Sequence, residues 1–303
     1  MMHLRLHLLS QVGWRNVCNA GTVGCSARQP NTPYETEGVL CIHRMMAGYG
    51  CLNRNSITSR SPNPRMDKRT MCTVEKRGRV HLITLTGAGE HRLSPSLISA
   101  LRSALATVRA SPSAGALVLA AEGKYFSNGF DQAWARTVPP HLHDSMRGAF
   151  RALVADLLAL PMPTVAAVTG HAAAAGCALA LAHDSVVMRA SRGFLYMSEV
   201  DVGLKFADYF GELLRQKVPD AAARRDMVLG GNKMTAAEAV RLGIVDAAAD
   251  GGVEDVVAAA VAAAEGLAAR GWDGEVVAEI RKAMWPAVWG KVKDHPAAAR
   301  PRL

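Results

Sequence analysis

The chain is predicted to fold as an α/β domain, and three features of its sequence predict it. Apolar runs of strand length alternate with segments of helical period between residues 80 and 189, a glycine- and alanine-rich junction follows the third run, and everything past Phe210 reads as helix. With 303 residues, half of them hydrophobic, the chain is long enough for one large domain with appendages. No apolar run approaches the ~20 residues of a membrane span, so no membrane span is expected.

Val80 to Thr86 reads as the first strand. Ser94-Pro95 supplies an N-cap and a first-turn proline, and Leu97, Leu101, Leu105 and Val108 then mark one face of a helix. Ala116 to Ala121 is a second strand. Met146, Phe150, Val154 and Leu157 mark a second helix, which Pro161-Met162-Pro163 stops before a third strand, Thr164 to Thr169. The glycine–alanine stretch comes next, followed by Ser185 to Arg189 as a fourth, short strand. Thr235 to Glu238 is a capping box opening a helix that Gly243 closes, and 253–270 and 273–293 read as an alanine-rich helix and a tryptophan-bearing one.

The formal charge of +9 is concentrated in the leader: residues 1–70 hold nine Lys/Arg against three acids, a net of +6, leaving the remaining 233 residues nearly balanced at +3. This argues against a nucleic-acid-binding body. Cys18, Cys25, Cys41 and Cys51 also lie in the leader, with only Cys72 and Cys177 beyond it. No CxxC pair occurs, so neither a metal site nor a disulfide framework is expected. Residues 1–30 carry three Arg and no acid, compatible with an organelle transit peptide or with a non-native extension, and Met71 is a second candidate start. The leader as a whole shows no period and is expected to be mostly disordered.

Three stretches carry the candidate chemistry: GKYFSNGFD from Gly123 to Asp131, GHAAAAGCALALAHD from Gly170 to Asp184, and FLYMSEVDVG from Phe194 to Gly203. The first two place small residues where a strand passes into a loop or helix, where a ligand can approach backbone N–H groups closely. Such turns also form wherever a helix packs tightly on a sheet, so neither is decisive alone. Glu199 stands in an apolar run, where desolvation raises a carboxyl's basicity.

In this order, and followed by the Thr235 to Asp246 segment, these motifs resemble the enoyl-CoA hydratase/isomerase (crotonase) superfamily over roughly residues 72–290. The resemblance implies a crotonase-like spiral of ββα units over 71–250, a C-terminal helical region over 251–303, and a leader over 1–70. It implies that the backbone amides of Phe130 and Ala175 form an oxyanion hole for a thioester, with Glu199 as the acid/base. Ser127, Asn128, Gly129, Asp131, Ala174, Gly176 and Lys124 are then the residues expected around the substrate. Hydratases of the family carry a second glutamate where this chain has Ala178, and usually Pro where it has Ser198. One carboxylate suits moving a double bond from C3 to C2, in which a single base removes a proton and returns it two carbons away; hydration divides its work between two.

What the resemblance implies is therefore a Δ3,Δ2-enoyl-CoA isomerase of fatty-acid β-oxidation, most like the plant peroxisomal branch. It would need no cofactor beyond the coenzyme A of its own substrate, and would assemble as a homotrimer or hexamer with contacts around Trp285 and Trp289. Pro301-Arg302-Leu303 resembles the tripeptide read by the peroxisomal import receptor; a transit peptide in 1–30 would instead direct the chain to mitochondria or plastids. Another acyl-CoA enolate reaction (hydration, hydrolysis or decarboxylation), or a non-catalytic acyl-CoA- or RNA-binding role, remains the alternative.

Overall fold

The computed structural model describes residues 70–294, apart from 112–114 and 206. Residues 1–69 and the Pro301-Arg302-Leu303 tripeptide, with the expectations attached to them, lie outside the described residues.

In chain order the elements are β1 (Cys72–Arg77), β2 (Val80–Leu85), α1 (Pro95–Ala110), β3 (Ala116–Ala121), β4 (Tyr125–Ser127), α2 (Gln132–Ala135), α3 (Pro140–Leu158), β5 (Thr164–Val168), β6 (His171–Ala173), α4 (Ala175–Leu181), β7 (Ser185–Arg189) and β8 (Leu195–Tyr196). There follow α5 (Asp208–Lys217), α6 (Ala221–Val228), α7 (Ala236–Arg241), β9 (Ala247–Ala249), α8 (Val253–Ala268), α9 (Gly274–Met284) and α10 (Pro286–Val292).

A six-stranded sheet runs β1-β2-β3-β5-β7-β9, antiparallel only between β1 and β2. The inner strands are apolar without alternation because both faces are covered. Ile83, Leu85, Leu117, Leu119 and Val168 face α1, α3 and α4, whereas Leu82, Val118, Val165 and Val187 face α8. Of the sequence-read features, Ser94 caps α1 by accepting from the Leu97 amide, and Thr235 and Glu238 form the reciprocal box on α7.

The second sheet, β4-β6-β8, is parallel and only two or three residues deep. Its strands are too short to show a period, and neither they nor β1 and β9 are among the strands expected from the sequence. A single helix over 273–293 is corrected to two. Pro286 lacks an amide and keeps its predecessor out of the helical region, so Trp285 sits at φ −123° and ψ 56° between α9 and α10.

One ion pair, with its guanidinium buried and its carboxylate partly exposed, ties these last helices to the sheet. The Arg281 guanidinium, 2% exposed, donates to both carboxylate oxygens of Asp184 at 2.6 Å and to the carbonyls of Leu158, Leu160 and Met162. Asp184 also accepts from the amide and hydroxyl of Thr164, joining the ends of α3, α4 and β5. Lys217 donates to the carbonyls of His183 and Asp184 and lies 3.9 Å from the Trp285 ring centroid. Burial lowers the Lys217 pKa to about 8. Among the described residues, no helix is long and apolar enough to cross a membrane.

Candidate active site

Glycine sets the small sheet's spacing. A Cβ on Gly170 would fall 2.0 Å from the Lys124 carbonyl oxygen, and one on Gly176 would fall 2.2 Å from that of Ser127. The bare backbone of this stretch is therefore required first by strand packing, with β6 and α4 pressed against β4. Gly129, at φ +72°, turns the chain out of β4; a Cβ there would meet Ala173 O at 3.1 Å and Ala175 N at 3.4 Å.

This contact brings the start of α4 against the loop that carries Phe130. Neither the Phe130 nor the Ala175 amide has a hydrogen-bond partner among the described residues, although the neighbours Leu93, Asp131 and Ala174 all donate within the protein. Ala175 is fully buried. An unpaired amide there is costly unless something else accepts from it.

Ala174, between them, has φ +49° and ψ −122°, a conformation that only glycine adopts without strain. Its amide is fixed by the Tyr196 carbonyl at 2.9 Å. Ala174→Gly is expected to raise stability by about 1 kcal/mol. Relief of about 1–3 kcal/mol of strain outweighs the greater freedom of the unfolded chain. A urea midpoint that stays put or falls would show that the methyl's packing outweighs the strain.

Glu199 follows β8 at the head of a turn whose Leu204 amide bonds back to its carbonyl at 2.9 Å. The residue is 9% exposed, and its Oε2 is buried without a partner. Burial raises the carboxyl's pKa above the usual range, partly offset by the Glu199 and Ser198 amides and by the Arg147 charge. The Cys177 thiol lies close enough to sense its charge, and Ala178, 2% exposed, faces the core beside Cys177.

The remaining sequence-selected residues are placed as follows. Ser127 is fully buried with its hydroxyl on His91 O at 2.8 Å; Asn128 donates from its side chain to Glu90 and from its amide to Glu90 O. Asp131 N-caps α2 through the Trp134 amide at 3.0 Å. Those three hold the loop around Gly129 and Phe130. Lys124 is exposed at its outer end, 5.4 Å from the Tyr125 ring centroid.

An aromatic wall beside Phe130 has no signature in the sequence. The Phe130 ring stands edge-on to Phe150 of α3 at 5.2 Å, and Phe150 edge-on to Phe210 of α5 at 6.0 Å.

The chain matches the family model described as enoyl-CoA hydratase/isomerase over residues 75–288. It is 52% identical over 227 residues to the peroxisomal enoyl-CoA delta isomerase 2 of Arabidopsis thaliana, covering 73% of this chain and 94% of that one. It is 49% identical over 221 residues to enoyl-CoA delta isomerase 3 of the same plant, covering 71% and 92%. Among solved structures, an enoyl-CoA hydratase of Mycobacterium ulcerans superposes with a TM-score of 0.67 over 74% of this chain and 96% of that one, at 22% identity.

Proposed function

The chain belongs to the enoyl-CoA hydratase/isomerase family, and from that premise we propose that it moves the double bond of a 3-enoyl-CoA to give the 2-trans-enoyl-CoA. Its roughly 50% identity to plant enoyl-CoA delta isomerases over most of both chains makes it an isomerase. The observation that carries the mechanism is a buried carboxylate, Glu199, whose Oε2 has no hydrogen-bond partner among the described residues.

In this reading the thioester oxygen accepts hydrogen bonds from the Phe130 and Ala175 amides, supplying the acceptor that both lack. Glu199 removes a proton from C2, the C–H electron pair forms a C1–C2 double bond as the carbonyl pair moves onto the thioester oxygen, and the amides stabilise the resulting dienolate, whose C3–C4 double bond is still in place. The protonated Glu199 then returns the proton at C4, leaving the double bond between C2 and C3. Burial helps at both stages, raising the basicity of the carboxylate and keeping water from the dienolate. Gly129, Ala174 and Gly176 fix the spacing of the two amides; Ser127, Asn128 and Asp131 hold the loop; Lys124 meets a phosphate of the coenzyme A.

The test is product analysis with 3-hexenoyl-CoA and, separately, 2-hexenoyl-CoA. The first is expected to give the 2-enoyl thioester, and the second almost no 3-hydroxyacyl product. Ala178→Glu is expected to add only trace hydration, because a carboxylate placed at this buried position is costly to ionise. Robust hydration by the unmutated protein would overturn the one-base reading.

A trimer-based assembly belongs to the same proposal, on a different surface from the one expected. Trp285 is 5% exposed and Trp289 packs against the core, whereas Val276, Ile280 and Met284 line an exposed face of α9. Light scattering that finds an active monomer would exclude the assembly. Peroxisomal location is supported by the name of the 52% identical relative and by Pro301-Arg302-Leu303; imaging a chain without that tripeptide tests the address.

A further inference from the structure

The segment that leads into α1 holds one of the two non-glycine residues with positive φ among the described residues. His91 stands at φ +47° and is 8% exposed, although its Cβ disfavours this conformation. The other is Ala174, at the start of α4. Such strain persists only where the surroundings hold it, and His91 is held at both its side chain and its backbone. Its ring Nε2 lies 2.9 Å from the Glu122 carbonyl oxygen, and since a carbonyl only accepts, this nitrogen carries the hydrogen. Glu122 directly follows β3, and its amide donates to Leu85 O of β2 at 3.0 Å, so the ring is anchored to the large sheet. The His91 carbonyl in turn accepts from the buried Ser127 hydroxyl at 2.8 Å.

From this anchor, residues 90–93 run as a strap along the loop that carries Phe130. The Asn128 amide donates to Glu90 O at 2.9 Å, the Leu93 amide to Gly129 O at 2.8 Å, and the Asp131 amide to Leu93 O at 3.4 Å. Leu93 and Phe130 thus form a parallel bridge. Glu90 and Leu93 are an odd number of residues apart, and a regular strand would turn their backbone groups to opposite sides. The reversal at His91 lets both face the loop. The bond from Leu93 bears directly on the site. In a planar trans peptide the carbonyl and the amide point in opposite directions, so holding Gly129 O against the strap aims the Phe130 N–H away from it. That N–H is one of the two left without a partner among the described residues at the site.

We propose that His91 is a positioning residue of the oxyanion hole: its ring tether to Glu122 holds the 90–93 strap, and the strap fixes the direction of the Phe130 amide. The inference rests on that amide donating to the thioester oxygen. His91 acts through Leu93 and Gly129. Its loss should therefore weaken the bond to the oxygen that gains charge in the dienolate far more than it weakens substrate binding.

The experiment compares the full chain as wild type, His91→Gly and His91→Gln in two measurements. Glycine removes the tether but accepts positive φ without strain, so the fold is retained. Glutamine places an amide nitrogen at about the reach of Nε2 and can donate to the same carbonyl. With 3-hexenoyl-CoA, His91→Gly is expected to lower kcat by about 10–100-fold with KM within about threefold, and His91→Gln to recover most of the loss. The second measurement is the ¹³C resonance of 2-hexenoyl-CoA labelled at the thioester carbonyl, with protein at saturation. Wild type should move it downfield, because hydrogen bonds to the oxygen polarise the carbonyl. His91→Gly should move it less, and His91→Gln nearly as far as wild type. A merely structural role would lower the melting temperature and leave kcat and the bound resonance in place. A kcat in His91→Gly within about twofold of wild type, or no recovery in His91→Gln, would overturn the proposal. The labelled carbonyl separates the two readings. An active wild type that leaves the resonance unmoved would overturn the oxyanion hole itself; a wild-type shift that His91→Gly keeps in full would remove only the role of His91.

Discussion

Glu199→Gln is expected to reduce the isomerisation of a 3-enoyl thioester by about 10³–10⁴-fold while leaving the fold intact. The substitution keeps size and shape but removes the group proposed to carry a proton from C2 to C4, and general acid–base groups contribute on this scale. The other acids of the same motifs are engaged elsewhere: Asp131 caps α2, and Asp184 is committed to Arg281 and Thr164. Because the Glu199 carboxylate is buried with Oε2 unpartnered, replacing it by a neutral amide should leave the melting temperature unchanged or slightly higher. Both readouts are needed, a rate assay and a thermal melt. Retention of more than about one per cent of wild-type kcat, well above the expected residue of acid–base catalysis, would place the base elsewhere.

Arg281→Ala should have the largest effect on stability, a loss of about 3–5 kcal/mol by urea unfolding. Removing one member of a buried pair strands the other. Here the loss also leaves the carbonyls of Leu158, Leu160 and Met162 without that donor. Arg281→Lys should recover only part of it, since an ammonium cannot match the planar fork that meets both Asp184 oxygens. The pH dependence has a definite sign. Burial alone would raise the Asp184 pKa, but the Arg281 fork and the Thr164 amide hold it below the ordinary aspartate value. Stability from this group is therefore present above the ordinary aspartate range and is lost as pH falls through the lowered pKa. That acid-side slope should flatten in Arg281→Ala. A loss below about 1 kcal/mol would mean that the site relaxes around the missing guanidinium.

The inner strands of the large sheet were legible because each is long enough to be a run: β3 is wholly apolar, and β2, β5 and β7 are mostly apolar, interrupted only by His81, Thr84, Thr164, Ser185 and Arg189. Helices α1 and α7 announce themselves through Ser94 and Thr235, because capping is a contact between residues three apart. The small sheet was not legible. Tyr125–Ser127, His171–Ala173 and Leu195–Tyr196 are too short for a period, and their pairing depends on glycines whose partners lie up to 49 residues away, as Gly176 does from Ser127.

Sequence by itself determined the parts of the site that are local. Gly129 before Phe130, small residues around Ala175, and one acid at Glu199 with Ala178 opposite in the motif pattern are fixed by order along the chain. Tertiary structure decided everything that depends on approach through space. It left the Phe130 and Ala175 amides without partners among the described residues, held Ala174 at a positive φ, and buried Glu199 with its Oε2 unpartnered. It also turned Trp285 inward beneath Lys217 while leaving Val276, Ile280 and Met284 exposed. The physical reason is range. Capping and turn formation act over three or four residues, whereas desolvation and charge interactions depend on which surfaces the completed fold excludes from water.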